Sequence, residues 1–263
     1  MTRIPVLDYG YLEYVEHWGS DERVIEVARM STGKGFLGWE PGPCPTCHGN
    51  KDVRVGFDKG GYAACPDCEG KGTIRGDKFL LCYLWEHKHA SPFEMAGMVI
   101  EVQAPIFVFR EWHRHRTQSY NEMSARYTPL PNVNYIPTVE RLMVNSKSNK
   151  QAGVVAGAAE LTEDKAQHFR EELTGHYQVQ EELYQWALKE GIPKELARIH
   201  LPVGRYSRMR ASANLRNWLA FLRLRMSPDA QWEIREYAQA LHGLLAKQFP
   251  RTLALFDKEQ IGE

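Results

Sequence analysis

Four of the five cysteines of this 263-residue chain fall in residues 39–78, as Cys44-Pro-Thr-Cys47 and Cys65-Pro-Asp-Cys68 with 17 residues between the pairs. No other feature limits so strongly what the chain can fold into. The stretch is rich in Gly and Pro and shows little apolar periodicity, so side-chain burial alone gives it a poor core. Two Cys-x-x-Cys elements supply four thiolates in tetrahedral reach, a donor set that suits a structural Zn²⁺. The Gly after each pair lets backbone amides turn toward the sulfurs. Disulfides or free thiols are the alternatives. Four thiolates leave no open ligand position, so a metal here would be structural. Residues 39–78 therefore read as an insertion within a 1–263 domain.

Lys plus Arg and Asp plus Glu number 33 each, so the net charge is zero and gives no global argument for a nucleic-acid partner. Within the insertion, Lys51, Arg54, Lys59 and Lys71 are largely offset by Asp52, Asp58, Asp67 and Glu69. A metal-stapled loop is the plain reading of that stretch, and a partner-binding or nucleic-acid module is the sharper one. Hydrophobic residues at 43% and charged residues at 25% are ordinary for a soluble globular protein. The longest apolar runs, such as Phe79–Trp85, are too short to span a bilayer, and Met1–Asp8 lacks the apolar segment of a secretory signal. A cytoplasmic protein without membrane contact is expected.

Elsewhere the pattern is α/β with a mainly helical C-terminal half. Residues 1–38 read as a strand and then a helix through Val24, Ile25, Val27 and Ala28, with Asp21 as its cap. A loop follows at Met30–Gly35. Helical pattern resumes at Lys78 and ends near His89, where Ser91-Pro92 breaks it. Residues 97–103 read as a strand. Pro105 suits the first turn of a helix through Ile106, Phe107, Phe109 and Trp112. Residues 145–160 read as a mobile loop. Thr162 starts a long helix carrying Phe169, Leu173, Tyr177, Leu183 and Trp186, which Gly191 ends. Pro193 restarts a short helix to Leu201, and another covers Leu215–Leu224. Ser227-Pro228 opens a last amphipathic helix with Ala230, Ile234, Tyr237, Leu241 and Leu244 on one face. Apart from the two Cys pairs there is no internal repeat.

The helix ending near Trp112 delivers Arg114-His115-Arg116-Thr117-Gln118-Ser119-Tyr120-Asn121-Glu122-Met123-Ser124-Ala125-Arg126-Tyr127. Three adjacent cationic or potentially cationic side chains repel one another unless anions neutralise them, and a helix C-terminus tolerates them. Ser119, Asn121, Glu122, Ser124 and Arg126 add donors and acceptors. Such a segment can grip phosphates with arginine forks and read a polar ring with the rest. The bland alternative is a solvated basic helix end followed by a polar loop. The flanks weigh against it, because Phe107, Phe109 and Trp112 bury the approach.

The string resembles the signature of flavin-dependent thymidylate synthases, Arg-His-Arg followed by seven residues and Ser, within Arg-His-Arg-x-x-Ser-x-Asn-Glu-x-Ser-x-Arg-Tyr. Other stretches also resemble that family: Leu7-Asp8-x-Gly10, Ala28-Arg29-x-Ser31, His89-Ala-Ser91-Pro92-Phe93-Glu94 and Ala104-Pro105-Ile106-Phe107. So do Ala197-Arg198-Ile199-x-Leu201-Pro202, Asn214-Leu215-Arg216 and Ala230-Gln231-Trp232-Glu233. The insertion stands outside this likeness. It resembles instead the Cys-x-x-Cys-x-Gly-x-Gly knuckles of J-domain co-chaperones, with Asn50 read in place of the last Gly of the first copy.

The resemblance implies a mixed sheet flanked by helices and a homotetramer with active sites shared between subunits. It implies FAD, NADPH, methylenetetrahydrofolate and dUMP as ligands, reductive methylation of dUMP to dTMP, and no cysteine nucleophile. Cys82, in an apolar helical run, reads as an inert thiol. By analogy Arg114, His115, Arg116 and Glu122 touch flavin and nucleotide. Glu111, Met123, Ser124, Ala125, Arg126 and Arg198 line the dUMP site, with Ser124, close to the nucleotide, a catalytic candidate beside Arg225. Arg225 polarises the uracil edge. Ser91, Asn214, Leu215 and Arg216 hold FAD, with Ser31, His89 and Glu94 as further flavin contacts. Without the likeness, Arg216 and Arg225 read as surface arginines and His89 as a helix-end histidine. His200 reads as a packing residue.

Three positions depart from the pattern. Glu111 stands where many relatives have Gln, and a carboxylate there would repel a nucleotide phosphate. Ala220 replaces an expected flavin-contacting Asn, and Asp229 replaces a His. Two other readings stay open: a related flavoenzyme that modifies a pyrimidine nucleotide differently, and a zinc-ribbon nucleic-acid-binding protein on the same scaffold.

Overall fold

A computed structural model describes residues 3–56, 60–144 and 152–261, except for the side chain of Ile261. Asp58, Lys59 and residues 145–151 of the expected loop lie outside the described residues. Residues 152–160 hold neither helix nor strand. The strands in chain order are β1 (Arg3–Val6), β2 (Gly10–Trp18), β3 (Gly42–Pro43), β4 (Asp52–Arg54), β5 (Tyr62–Ala64), β6 (Thr73–Ile74), β7 (Gly97–Pro105), β8 (Ser119–Glu122) and β9 (Tyr206–Asn214). The helices are α1 (Asp21–Arg29), α2 (Asp77–Glu86), α3 (Ile106–Trp112), α4 (Val139–Met143), α5 (Glu163–Lys189), α6 (Lys194–Ala197), α7 (Leu215–Arg225), α8 (Trp232–Gln248) and α9 (Pro250–Ile261). This is the α/β class expected. None of the helices, among the described residues, is long and apolar enough to cross a membrane.

The chain forms two compact units. One comprises Met1–Glu16, Val99–Ala213 and Ala220–Leu244; the other comprises His17–Met98, Asn214–Leu219 and Leu245–Glu263. In the first, a five-stranded sheet has the order β1-β2-β7-β9-β8. β1 pairs antiparallel with β2, and β8 pairs antiparallel with β9. Along β7, buried Ile100, Val102 and Ala104 alternate with Val99, Glu101 and Gln103, the two-residue period of a strand with one covered face. β9 repeats the pattern, with buried Met209, Ala211 and Ala213 between Arg208, Arg210 and Ser212. This alternation was there to read, but the sequence reading assigned no element to Tyr206–Asn214. It also left out β8, within the signature, and α4.

α3 begins where expected, after Pro105, and buries Val108, Phe109 and Trp112. The Trp112 ring lies 4.6 Å from Phe221 of α7 and 6.3 Å from Tyr237 of α8. Gly10 permits this core at β2: a Cβ there would overlap the Tyr237 hydroxyl and come within 2.6 Å of the Val6 carbonyl. The Tyr237 hydroxyl instead donates to the Gln103 carbonyl at 2.7 Å. α5 is capped by Thr162, as the sequence implies, and Gly191 follows it with φ +80°.

In the second unit, α1, α2 and α9 pack on one another. The N-cap of α1 is Ser20, whose Oγ accepts from Arg23 N at 3.3 Å, rather than Asp21 as expected. Asp21 instead caps α9, a helix to which the sequence reading assigned no element. Its buried carboxylate accepts from Arg251 N at 2.7 Å, Thr252 N at 3.2 Å and the Thr252 hydroxyl at 2.6 Å. Local spacing made Asp21 look like the cap of the helix it begins, whereas its partners are 230 residues away. α8 starts at Trp232 rather than at Ser227-Pro228, which forms a turn.

Candidate active site

The signature residues cluster in the first unit. Glu111 lies on α3, Arg114, His115 and Arg116 follow that helix, and Glu122 ends β8. Met123, Ser124, Ala125 and Arg126 form the turn after β8. The Ser124 carbonyl accepts from Tyr127 N at 2.9 Å and Thr128 N at 3.1 Å, and its Oγ accepts from Arg126 N at 3.3 Å. Ala125 is buried, while Arg114, Arg116, Glu122 and Arg126 are exposed. Arg126 sits 3.8 Å from Glu195, and Arg198 caps the end of α6.

Arg225, the last residue of α7, joins this group through Glu111 and His115. Its Nε donates to His115 Nε2 at 2.8 Å, one Nη to the Glu111 carboxylate at 3.0 Å, and the other Nη to the Glu111 carbonyl at 2.8 Å. Three of its five N–H donors are thus used and two remain. The side chain is 15% exposed, so this guanidinium is held rather than waving on the surface. His115 is fixed from two further sides: its ring lies 4.7 Å from Phe221, and its carbonyl accepts from the Tyr120 hydroxyl at 2.7 Å. Burial, and then the Arg225 charge, push the His115 imidazole down to about 4, with Glu111 opposing weakly. Tyr120 lies inside the signature yet was given no role by the sequence reading. Its hydroxyl also reaches the Trp112 carbonyl at 3.2 Å, which ties β8 to α3.

A second group lies in the other unit. Ser31 is in a 3-10 turn after α1, His89 follows α2, and Ser91 and Glu94 belong to a 3-10 turn at Ser91–Glu94. Asn214 ends β9 and Leu215 begins α7. The Asn214 Oδ1 accepts from Asn217 N at 2.9 Å, which caps α7 and leaves its amide N–H₂ to donate. Arg216 pairs with Glu94 while staying 55% exposed. In the same unit the exposed rings of Tyr83, His87 and His89 gather, with Tyr83 and His87 stacked at 4.0 Å. His200 is a packing residue, its Nε2 lying 2.9 Å from the Gln180 carbonyl.

The four insertion cysteines meet. Cys44, Cys47, Cys65 and Cys68 are buried, with every sulfur within 4.8 Å of the others. Cys44 and Cys65 sulfurs are 3.8 Å apart, and those of Cys47 and Cys68 are 3.7 Å apart. A tetrahedron with metal–sulfur bonds of about 2.3 Å has edges of ~3.8 Å, so the spacing is that of a metal cage rather than of disulfides. Backbone amides of Cys47 and Thr46 point at the Cys44 thiol and, against the cost of burial, bring it down to about 7. Gly72 N donates to the Cys68 sulfur at 3.2 Å. Val53 and Ile74 cover the cluster. The two knuckles repeat with an offset of 21 residues. This register corrects one reading: the residue matching Gly72 (φ +77°) is Lys51 (φ +71°), not Asn50.

Comparison with known proteins places these residues in context. The family model described as thymidylate synthase complementing protein matches residues 13–251. A protein of Thermus thermophilus named flavin-dependent thymidylate synthase is 34% identical over 255 residues, 97% of this chain and 78% of that one. A protein of the same name from Gluconobacter oxydans is 33% identical over 261 residues, covering 99% and 74%. Among solved structures, a UMP/dUMP methylase from Streptomyces cacaoi bound with 5-Br UMP superposes with a TM-score of 0.70 at 30% identity, over 97% of this chain and 96% of that one. With the signature, the α/β fold and these matches in agreement, the chain is an enzyme of the thymidylate synthase complementing protein family.

Proposed function

We propose that this enzyme is a flavin-dependent thymidylate synthase, converting dUMP to dTMP with methylenetetrahydrofolate as carbon donor and NADPH as reductant. The carrying observation is the held guanidinium of Arg225, which keeps two donors free beside the Arg114–Tyr127 signature. A fixed guanidinium stabilises negative charge developing on a pyrimidine oxygen with little reorganisation. Arg225 takes that role. Ser124 and the turn it stabilises, with Arg114, Glu122, Met123, Ala125, Arg126 and Arg198, bind the nucleotide, and Glu111 lines the same site by holding Arg225. The guanidinia of Arg114 and Arg116 have no ion-pair partner among the described residues, so they can meet phosphate.

The residues for FAD suit an anionic, aromatic ligand: a half-exposed Arg216 for diphosphate, the Asn214 amide and Ser91 hydroxyl as polar contacts, and the Tyr83, His87 and His89 rings as apolar faces. Ser31, His89, Glu94 and Leu215 complete the set in this unit; Arg114, His115, Arg116 and Glu122 of the first unit are proposed separately as residues that touch flavin. Bound there, FAD would supply the redox chemistry that passes reducing equivalents from NADPH to the new methyl group. The four insertion cysteines hold one structural Zn²⁺. A homotetramer is part of this reading, supported by the apolar side chains Phe169, Val179, Leu183 and Trp186 that α5 leaves exposed.

The test is direct. Purified protein should show flavin absorbance, and incubation with dUMP, methylenetetrahydrofolate and NADPH should yield dTMP by mass analysis. A colourless protein that FAD cannot reconstitute would sink the reading and favour the zinc-ribbon alternative. The Streptomyces neighbour is a UMP/dUMP methylase, so UMP belongs in the same assay, where methylation of UMP in preference to dUMP would favour a related pyrimidine-modifying enzyme.

A further inference from the structure

The insertion is wired to the segment that carries Ser31. Its two ends lie side by side: Asp77 N donates to the Gly38 carbonyl at 2.7 Å and Lys78 N to the Trp39 carbonyl at 3.3 Å. Gly76, at φ +91°, allows this closure, since a Cβ would come within 2.6 Å of the Trp39 carbonyl. At the end of the insertion, the buried Asp77 carboxylate grips both flanks of the Ser31 segment. It accepts from Arg29 Nε at 2.9 Å and from Leu37 N at 2.7 Å.

Between those anchors, Lys34 reaches into the second cysteine knuckle. Its Nζ donates to the Asp67 carbonyl at 3.3 Å and lies 3.6 Å from the Glu69 carboxylate. Asp67 sits between the ligand pair Cys65 and Cys68, and Glu69 follows Cys68 at φ +55°, a conformation the knuckle imposes. The Lys34 side chain is only 20% exposed, although Ser31, Thr32 and Gly33 beside it are exposed. An ammonium in this position has its acceptor only while the knuckle keeps its shape. A four-thiolate site without its metal carries four buried sulfurs and no large core to replace it, so knuckle shape depends on the ion.

We propose that the four-cysteine metal centre is a positioning device for the enzyme's own chemistry: through Asp67 and Glu69 it anchors Lys34 and so sets the backbone of Met30–Leu37, including Ser31. This rests on the reading that the cysteines hold zinc and that Ser31 contacts flavin. Metal loss then loosens this segment and weakens flavin binding without altering Arg225 or the signature.

The experiment compares four full-length proteins: parent, Lys34→Met, Ser31→Ala and parent stripped with a mercurial plus chelator. Zinc is counted by a colorimetric metal assay, amide exchange is followed in Met30–Leu37, and FAD affinity is titrated. Lys34→Met should keep one zinc per chain, exchange faster in this segment and bind FAD about five-fold more weakly, the scale of one partly buried ion pair. The stripped protein should show the same two changes, at least as large. Unchanged exchange and FAD affinity in Lys34→Met overturn the tether, and absence of zinc in the parent overturns the metal centre. Ser31→Ala separates the flavin reading: if it leaves FAD affinity untouched while Lys34→Met speeds exchange, the tether stands and the assignment of Ser31 to flavin falls.

Discussion

Arg225 donates its Nε–H to His115 Nε2 at 2.8 Å. An arginine nitrogen can only donate, so Nε2 must accept, and the imidazole is neutral with its proton on Nδ1. The middle residue of the Arg-His-Arg triplet is therefore an anchor for the arginine at the end of α7, and its Nδ1–H is left to donate elsewhere. Removing Arg225 tests both halves of the arrangement. Arg225→Ala should retain FAD, lower kcat by about 100-fold or more, and raise the His115 pKa above about 4, as read by NMR titration. The rise should be partial, because burial is the larger cause. Near-normal turnover would contradict the role given to Arg225.

Glu111→Gln removes a negative charge where the nucleotide is proposed to bind. Arg225 keeps its bonds to the Glu111 main-chain carbonyl and to His115, so its position should survive. The expected outcome by calorimetry is dUMP binding tightened about three- to five-fold, the effect of one half-exposed like charge, with kcat little changed. Since Glu111 raises the His115 pKa, the substitution should also lower that value slightly.

The neutral His115 makes stability depend on pH. In the unfolded chain it takes a proton near pH 6.5, and in the folded protein only near 4. Its contribution is fully present above about pH 6.5 and falls as the pH drops toward 4. Because the ring is only half buried, the expected loss is on the order of 1–2 kcal/mol rather than the full value of the shift. Comparing denaturant unfolding at pH 7 and pH 4.5, His115→Gln should lose less stability than the parent.

Asp21→Ala should cost about 2 kcal/mol, because it strips the N-terminus of α9 of its cap and leaves buried donors of Arg251 and Thr252 unpaired. A lowered melting temperature with unchanged zinc content is expected. Ser20→Ala, which removes only the single cap bond to Arg23 N at α1, should cost less.

Lys51 and Gly72 occupy equivalent places in the two knuckles with opposite tolerances. Lys51→Gly relieves a left-handed conformation that a side chain disfavours by roughly 1 kcal/mol, and should raise thermal stability. Gly72→Ala forces a Cβ to within 2.7 Å of the Gly49 carbonyl and should lower both stability and metal retention. A melt followed by metal release distinguishes them.

Much of this enzyme is determined within short stretches of its sequence. The signature, the paired cysteines, the strand at β7 and the long helix α5 are all set by residues that act on their neighbours: Thr162 caps the turn it begins, Gly191 takes the conformation that ends a helix, and alternating apolar residues cover one face of a strand. The family likeness follows from the same local strings. What only the tertiary structure decided are the pairings across long intervals. Asp21 caps a helix that starts at Pro250, Glu111 and His115 hold an arginine 110 residues or more away, and Lys34 finds the knuckle that follows Cys65. Local pattern shows that a carboxylate or an ammonium needs a partner, because leaving it buried and unpaired is costly. Which partner it meets depends on how the chain closes its loops and buries its apolar faces, and no short window of sequence contains that choice.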